Sequence, residues 1–215
     1  MKGPLFYSKI LLFGEYGIIQ DSKGLSIPYN FYNGALKKED HPSQDAIASN
    51  GHLKRFVTYL ESLQTEQPDL VQFDIATLQK DVNEGMYFDS SIPQGYGVGS
   101  SGALVAAIYD KYAQHKITVL ENLTREKLLE LKTIFSQMES FFHGKSSGLD
   151  PLNSYLSIPI LINSKDNIEA TGIPTQSFDG KGAVFLLDSG IVGETAPMVN
   201  IFMENLKDQG FRTML

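Results

Sequence analysis

The segment Pro93–Ala103, P-Q-G-Y-G-V-G-S-S-G-A, carries the residue types of an anion-binding loop and runs directly into the apolar stretch Leu104–Tyr112. Gly95, Gly97 and Gly99 alternate, so the backbone can bend and approach a ligand where a Cβ would stand in the way. Ser100 and Ser101 follow at the mouth of a predicted helix, whose first amides lack intrahelical partners and favour negative charge. A polyphosphate is the ligand such a segment suits. A flexible Gly/Ser connection is the competing reading of the same composition, and the order Pro, glycines, serines, helix favours the anion. Two common phosphate motifs are excluded: no Lys-Ser or Lys-Thr follows the last glycine, and no acidic residue about 20 positions onward ends a strand to hold a ribose.

Further polar groups stand at element boundaries. Lys9 and Glu15 flank the run I-L-L-F-G; a lone strand Lys ordinarily reads as a solvated edge residue, and Glu15 as a turn carboxylate. Glu139 lies one helical turn before His143 and reads as a solvent carboxylate on a helix that buries its other face. Asp150 precedes Pro151, and Asp-Pro is an ordinary helix start with the Asp as N-cap. Taken as a pair, however, Glu139 and Asp150 flank a glycine-broken turn that can fold two carboxylates from successive helices toward one point. One could then bind a metal while the other takes a proton.

The elements that must position these groups follow from pattern. Ser8–Phe13 predicts a strand buried on both faces and closed by Gly14. Ile18 and Ile19, a turn at Asp21–Gly24, and Leu25–Tyr32 predict early antiparallel strands in one sheet. Ser43–Leu63 predicts a helix with Phe56, Val57, Leu60 and Leu63 on one face, interrupted at Gly51. Leu70–Ile75 alternates as a half-buried strand does, Gly85–Asp89 is a weaker strand, and a helix runs from Ser101 to Gln114. Thr124–Phe142 predicts a helix capped by Thr124, with Leu128, Leu131, Ile134, Phe135, Met138 and Phe142 along one side and Gly144 as its stop. A short helix at Asp150–Leu156, strands at Ile158–Ile162 and Ala183–Leu187, and a helix at Thr195–Asp208 complete the pattern. Strands first, then helices and strands without βαβ alternation, place the chain in the α+β class.

Composition bounds the function. The 215 residues are 42% hydrophobic and 20% charged, with a formal charge of −7, as in a globular protein and unlike a nucleic-acid binder built on clustered Lys and Arg. Without cysteine there is no disulfide, thiolate or cysteine-zinc chemistry to invoke. Met1–Phe6 shows no basic segment leading into an apolar one, and no 18 apolar residues run together, so neither a signal peptide nor a membrane span is expected.

Three motifs in order resemble those of the GHMP kinases, the superfamily of galactokinase, homoserine kinase, mevalonate kinase and phosphomevalonate kinase. K-I-L-L-F-G-E at 9–15 resembles the first motif, and P-Q-G-Y-G-V-G-S-S-G-A resembles the second, P-x-x-x-G-L-G-S-S-A-A. E-S-F-F-H-G-K-S-S-G-L-D at 139–150 is similar to the mevalonate kinase pattern of a helix Glu followed by H-G-x-P-S-G-x-D. D-S-G-I-V-G-E-T at 188–195 is similar to a segment where that branch places a substrate-side Thr.

The resemblance implies an N-terminal ATP-binding and catalytic domain over residues 1–180, of the ribosomal protein domain 2-like fold. Residues 181–215 would open a ferredoxin-like C-terminal domain whose glycine-rich motif the chain lacks. It implies that the amides of Gly97, Val98, Gly99, Ser100, Ser101, Gly102 and Ala103 cradle the phosphates of ATP, with Ser101 and Glu139 as Mg2+ ligands. Asp150 would be the base facing the acceptor hydroxyl, Lys9 its neighbour favouring the ionised form, and Glu15, Tyr16 and Thr195 the acceptor side. The implied activity is phosphoryl transfer from ATP to a small molecule in the cytoplasm, with mevalonate as acceptor and isoprenoid precursor synthesis as its setting. ATP and the acceptor are the implied partners, with no nucleic acid or membrane and room for a homodimer.

A sugar or phosphomevalonate as acceptor is the alternative within the family, though few cations besides Lys9 and Lys145 lie near the motifs to receive a second phosphate. A non-catalytic nucleotide or metabolite sensor on the same fold is the alternative outside catalysis. The chain departs from the pattern at Tyr16, where G-E-H is usual, at Tyr7-Ser8 in place of Pro-Gly, at Gly102 in place of Ala, and at Ser146 in place of Pro.

Overall fold

A computed structural model describes residues 3–118, 123–172, 186–188, 190–193 and 195–213. In chain order these form β1 (Phe6–Phe13), a 3-10 turn (Gly17–Gln20), β2 (Gly24–Lys37), α1 (Gln44–Glu66), α2 (Ile75–Asn83), β3 (Tyr87–Ser90) and α3 (Ser100–Tyr112). Then follow α4 (Arg125–His143), α5 (Leu149–Leu156), β4 (Ile160–Ser164), β5 (Asn167–Ala170), α6 (Thr195–Asn205) and α7 (Gln209–Thr213). The class is α+β, as the sequence pattern predicts.

The sheet is antiparallel, with order β1-β2-β4-β5 and β3 also on β2. The length of β2 allows this: Gly24–Ser26 pair with β4 and Gly34–Lys37 with β3, both on the edge away from β1. Lys9 sits opposite Pro28 in the β1–β2 register.

Helix α3 lies at the centre of the core. Ala103 and Val105–Tyr109 are all buried, the pattern of a helix that is apolar on nearly every side and therefore enclosed. The Tyr109 ring meets those of Phe135 and Tyr155 at 5.0 and 5.2 Å, edge to face, while its hydroxyl accepts from the Ile117 amide. The aromatic body is thus buried without stranding its polar end. Helices α4 and α5 complete this layer, α4 burying Leu128, Leu131, Ile134, Phe135 and Met138.

Several elements differ from the sequence expectation. Ile18 and Ile19 form the 3-10 turn rather than a strand. Gly51 does not interrupt α1: nothing lies within 4 Å of a Cβ built on it. The cost of a mid-helix glycine, about 1 kcal/mol, is small beside burial of Leu53, Phe56, Val57, Leu60 and Leu63. Leu70–Ile75 is not a strand; beyond a single bridge from Phe73 to Ala113, Asp74 caps α2 by accepting from the Thr77 amide at 3.0 Å. The polar member of the apparent alternation is a helix cap. Strand β1 is not buried throughout, since Leu12 and Phe13 near its end are about half exposed. The hairpin strand β5 has no counterpart in the sequence expectation. Of the strand expected at Ala183–Leu187, residues 183–185 lie outside the described residues, and Leu186 and Leu187 are not in a strand.

Candidate active site

The loop before α3 adopts the backbone its glycines permit: Gly95, Gly97 and Gly99 have φ of 78°, 68° and 84°. Gly99 is the N-cap of α3 and supplies no side-chain cap, so the first-turn amides are left for a ligand or solvent. The loop is tied to the sheet where the Lys9 amide donates to the Val98 carbonyl at 3.0 Å.

Beneath this helix start lies an ion pair. Lys9 is 7% exposed, and its Nζ stands 3.0 Å from Asp150 Oδ1, with the Asp150 side chain 35% exposed. The pair is therefore closed on the lysine side and open on the carboxylate side. Close packing of three elements makes it. A Cβ on Gly99 would lie 3.1 Å from Lys9 Cγ and 3.8 Å from Asp150 Oδ2. A Cβ on Gly102 would lie 2.7 Å from both the Asp150 carbonyl carbon and the Pro151 nitrogen. Gly102, in place of the family's Ala, lets α3 and α5 approach at backbone contact.

Asp150 is not the cap of its helix. The N-cap is Gly148, with φ 74°, and Asp150 falls in the first turn, where a carboxylate is favoured by the helix dipole. Lys9 is likewise no solvated edge residue.

Glu139 is 3% exposed, which overturns its reading as a solvent carboxylate. It continues the buried i, i+4 row of Leu131 and Phe135 on α4. Its Oε1 accepts from Ser101 Oγ at 2.9 Å and its Oε2 from Ser146 Oγ at 2.5 Å. Burial, and next the charge of Asp150, push the Glu139 carboxyl up to about 7, against the opposing pull of the two serines and Lys9. The contribution of Asp150 and Lys9 joins the two halves of the site electrostatically. His143, the next residue of the same row, brings Nε2 to 3.0 Å from Ser101 Oγ.

The donor set fits a hard divalent cation. Mg2+ takes one or two carboxylates, a hydroxyl, water and substrate phosphate oxygens in preference to an all-protein cage. Ser101 and Glu139 offer one hydroxyl and one carboxylate beside uncapped amides. Among the described residues no cluster of three or more His, Cys, Asp or Glu could hold a metal without such help. The amides from Gly97 to Ala103 fit phosphate in the same sense, and nothing lies within 4 Å of a Cβ built on Gly97.

The residues expected on the acceptor side lie at the turn after β1 and at the start of α6. Glu15 is exposed. Tyr16 has φ 58° and turns its ring to Phe202 of α6 at 5.8 Å; burial and the charge of Glu15 push its phenol upward, so it remains a neutral donor. Thr195 opens α6, and its side chain lies outside the described residues. Just before α6, the Gly193 amide donates to the Gly95 carbonyl at 3.0 Å, and Val192 Cγ1 occupies the space a Gly95 Cβ would need. His143, Ser146 and this 190–193 contact were not among the expected site residues. The i+4 spacing from Glu139 points to His143; nothing local points to Ser146 or Val192.

The profile of the family described as GHMP kinases N terminal domain matches residues 60–157, just under half the chain. No curated protein sequence matches. Among solved structures, L. major mevalonate kinase in complex with R-mevalonate is similar over 100% of this chain and 67% of its own, with TM-score 0.51 and 16% identity. The Methanococcus jannaschii mevalonate kinase is similar over 80% of this chain and 56% of its own, with TM-score 0.45 and 13% identity. The Staphylococcus aureus MRSA252 mevalonate kinase is similar over 81% and 56%, with TM-score 0.42 and 20% identity. The chain thus spans between 56% and 67% of these structures' lengths, and at such identity the likeness is one of fold. The matched residues include the glycine loop, Glu139 and Asp150, so over this stretch the chain is similar to the GHMP kinases N terminal domain, and its fold is like that of the L. major mevalonate kinase.

Proposed function

We propose that this chain carries the phosphoryl-transfer site of an ATP-dependent kinase acting on the hydroxyl of a small molecule, with mevalonate as the first acceptor to test. The observation that carries the reading is the Lys9–Asp150 pair, 3.0 Å apart and packed beneath the uncapped start of α3. Residues 1–180 form the catalytic N-terminal domain in this reading, and 181–215 open the C-terminal domain.

Each side chain has a task that phosphoryl transfer requires. The amides of Gly97–Ala103 bind and orient the phosphates. Asp150, with its more open carboxylate, accepts the proton of the acceptor hydroxyl as that oxygen attacks the γ-phosphorus and ADP leaves. Lys9 holds Asp150 in place and provides positive charge beside the attacking oxygen. Ser101 and Glu139 would hold Mg2+, which when bound would supply positive charge to neutralise the phosphates. Glu15, Tyr16 and Thr195 face the acceptor. Positioning and charge supply most of the catalysis, since this reaction needs little covalent help.

Tyr16 favours keeping a second acceptor class in view. A neutral phenol at this position cannot pair with a carboxylate as an imidazolium can, which suits a sugar or other polyol. An ADP-release assay of the protein against mevalonate, phosphomevalonate, homoserine and galactose tests both. Turnover with mevalonate supports the first reading and turnover confined to the sugar replaces it. No turnover with any acceptor, alongside intact ATP binding, points to a nucleotide sensor.

A further inference from the structure

We propose that Ser146 is a positioning residue for the cation site, holding Glu139 so that Oε1 alone is presented to the metal. The inference rests on the kinase reading of Ser101 and Glu139 and deepens it. The family pattern has proline at this position, which has no side-chain donor; here a hydroxyl stands against the buried carboxylate.

The two oxygens of Glu139 are held unequally. Ser146 Oγ accepts from the Gly148 amide at 3.0 Å and donates to Glu139 Oε2 at 2.5 Å. A hydroxyl has one proton, and the Gly148 contact uses the oxygen as acceptor, so that proton is committed to the carboxylate. The Ser146 backbone is pinned as well, its carbonyl accepting from Ser136 Oγ at 2.6 Å. Oε2 is therefore bound to a rigid turn between α4 and α5.

Oε1 is bound to a replaceable partner. Ser101 Oγ donates to it at 2.9 Å and also lies 3.0 Å from His143 Nε2. With His143 in the tautomer that leaves Nε2 unprotonated, the Ser101 proton can turn to the imidazole and release Oε1 together with a serine lone pair. Both freed groups are hard oxygen donors on the side of the uncapped α3 amides. Ser146 thus fixes which oxygen ligates, keeps the carboxylate from rotating, and supplies a charge-assisted hydrogen bond that a cation at Oε1 does not displace.

The test is Mn2+ binding to the protein in the presence of adenylyl imidodiphosphate, read by electron paramagnetic resonance, with melting temperature as the check on folding. Ser146→Ala and Ser146→Pro, both without the hydroxyl, are expected to raise the half-saturating Mn2+ concentration about tenfold, the scale of one hydrogen bond to a charged group, while Ser146→Thr stays within about twofold of wild type. Ser136→Ala loosens the same turn without touching Glu139 and is expected to weaken binding less than either hydroxyl-free variant. Unchanged Mn2+ binding in both hydroxyl-free variants overturns the proposal, as does equal weakening by Ser136→Ala, which would mark the role as structural. Wild-type protein that binds no Mn2+ with the nucleotide overturns the kinase reading itself, and is distinguished because it appears without any substitution.

Discussion

The α3–α4–α5 junction and the flank formed by residues 14–20 with α6 are built on opposite principles. At the junction the candidate site side chains hold one another: Lys9 pairs with Asp150, and Glu139 accepts from Ser101 and Ser146. At Gly102 a Cβ would lie 2.7 Å from the α5 backbone, an approach that only glycine allows, and Gly99 holds a positive φ of 84° that favours glycine. At the flank, Glu15 is exposed, and Tyr16 relies on one aromatic contact with Phe202. Under the proposed function, phosphoryl transfer needs the tight geometry of the junction. Acceptor choice would then fall to a surface with fewer fixed contacts, which can change cheaply.

The contrast can be broken most severely at the junction. In the proposed reaction, replacing Lys9 by Met removes the cation beside the attacking oxygen, and turnover is expected to fall about a hundred- to thousandfold with a smaller effect on nucleotide affinity; steady-state kinetics with a nucleotide titration checks this. A loss in affinity as large as the loss in turnover would assign Lys9 to binding.

Gly102→Val comes next. Its Cβ would lie 2.7 Å from the α5 backbone, and overpacking of this kind costs about 1–3 kcal/mol. Chemical denaturation should show that loss, accompanied by lower turnover because Asp150 is pushed from Lys9. Gly51→Ala, in open space on α1, is expected instead to gain about 1 kcal/mol.

Glu139 gives a pH signature. Its carboxyl is raised from 4.5 to about 7 in the folded protein, so the folded state binds more protons than the unfolded state between those values. Its contribution to stability therefore declines as pH rises through that window and levels off above it. Melting curves from pH 5 to 8 should show that decline in metal-free protein and show it reduced in Glu139→Gln. Identical slopes in the two proteins would contradict the buried, perturbed carboxyl.

The smallest effect is expected on the flank. Phe202→Leu loses the aromatic contact with Tyr16, worth about 0.5–1.5 kcal/mol, and should alter acceptor KM more than kcat. A kcat loss comparable to that of Lys9→Met would erase the distinction between the two regions.

The fold class was legible in the order of strands and helices, and the glycine-serine loop leading into a helix left a local trace of its own. The rest of the junction showed only through the order of its motifs, because a Lys in a strand and an Asp at a helix start read singly as a solvated edge residue and a helix cap. The burial of Glu139 was readable too: Leu131, Phe135, Glu139 and His143 form one i, i+4 row, yet an assumption that carboxylates face solvent hides it. Asp74 illustrates the reverse error, where period-two alternation over Leu70–Ile75 masked a helix cap. Ser146 showed in the sequence only as a departure from the motif's Pro, because its bonds to Glu139 and Gly148 depend on how the turn between α4 and α5 closes. The contact of Val192 with Gly95 joins segments nearly a hundred residues apart, beyond what periodicity or local motifs can report.

In the proposed reaction Asp150 accepts a proton during phosphoryl transfer from ATP. Single-turnover transfer by Asp150→Asn, with ATP affinity measured in parallel, tests this most directly. A rate lower by about a hundred- to ten-thousandfold with nucleotide affinity little changed is expected, the signature of a lost general base. Transfer at the wild-type rate would contradict it.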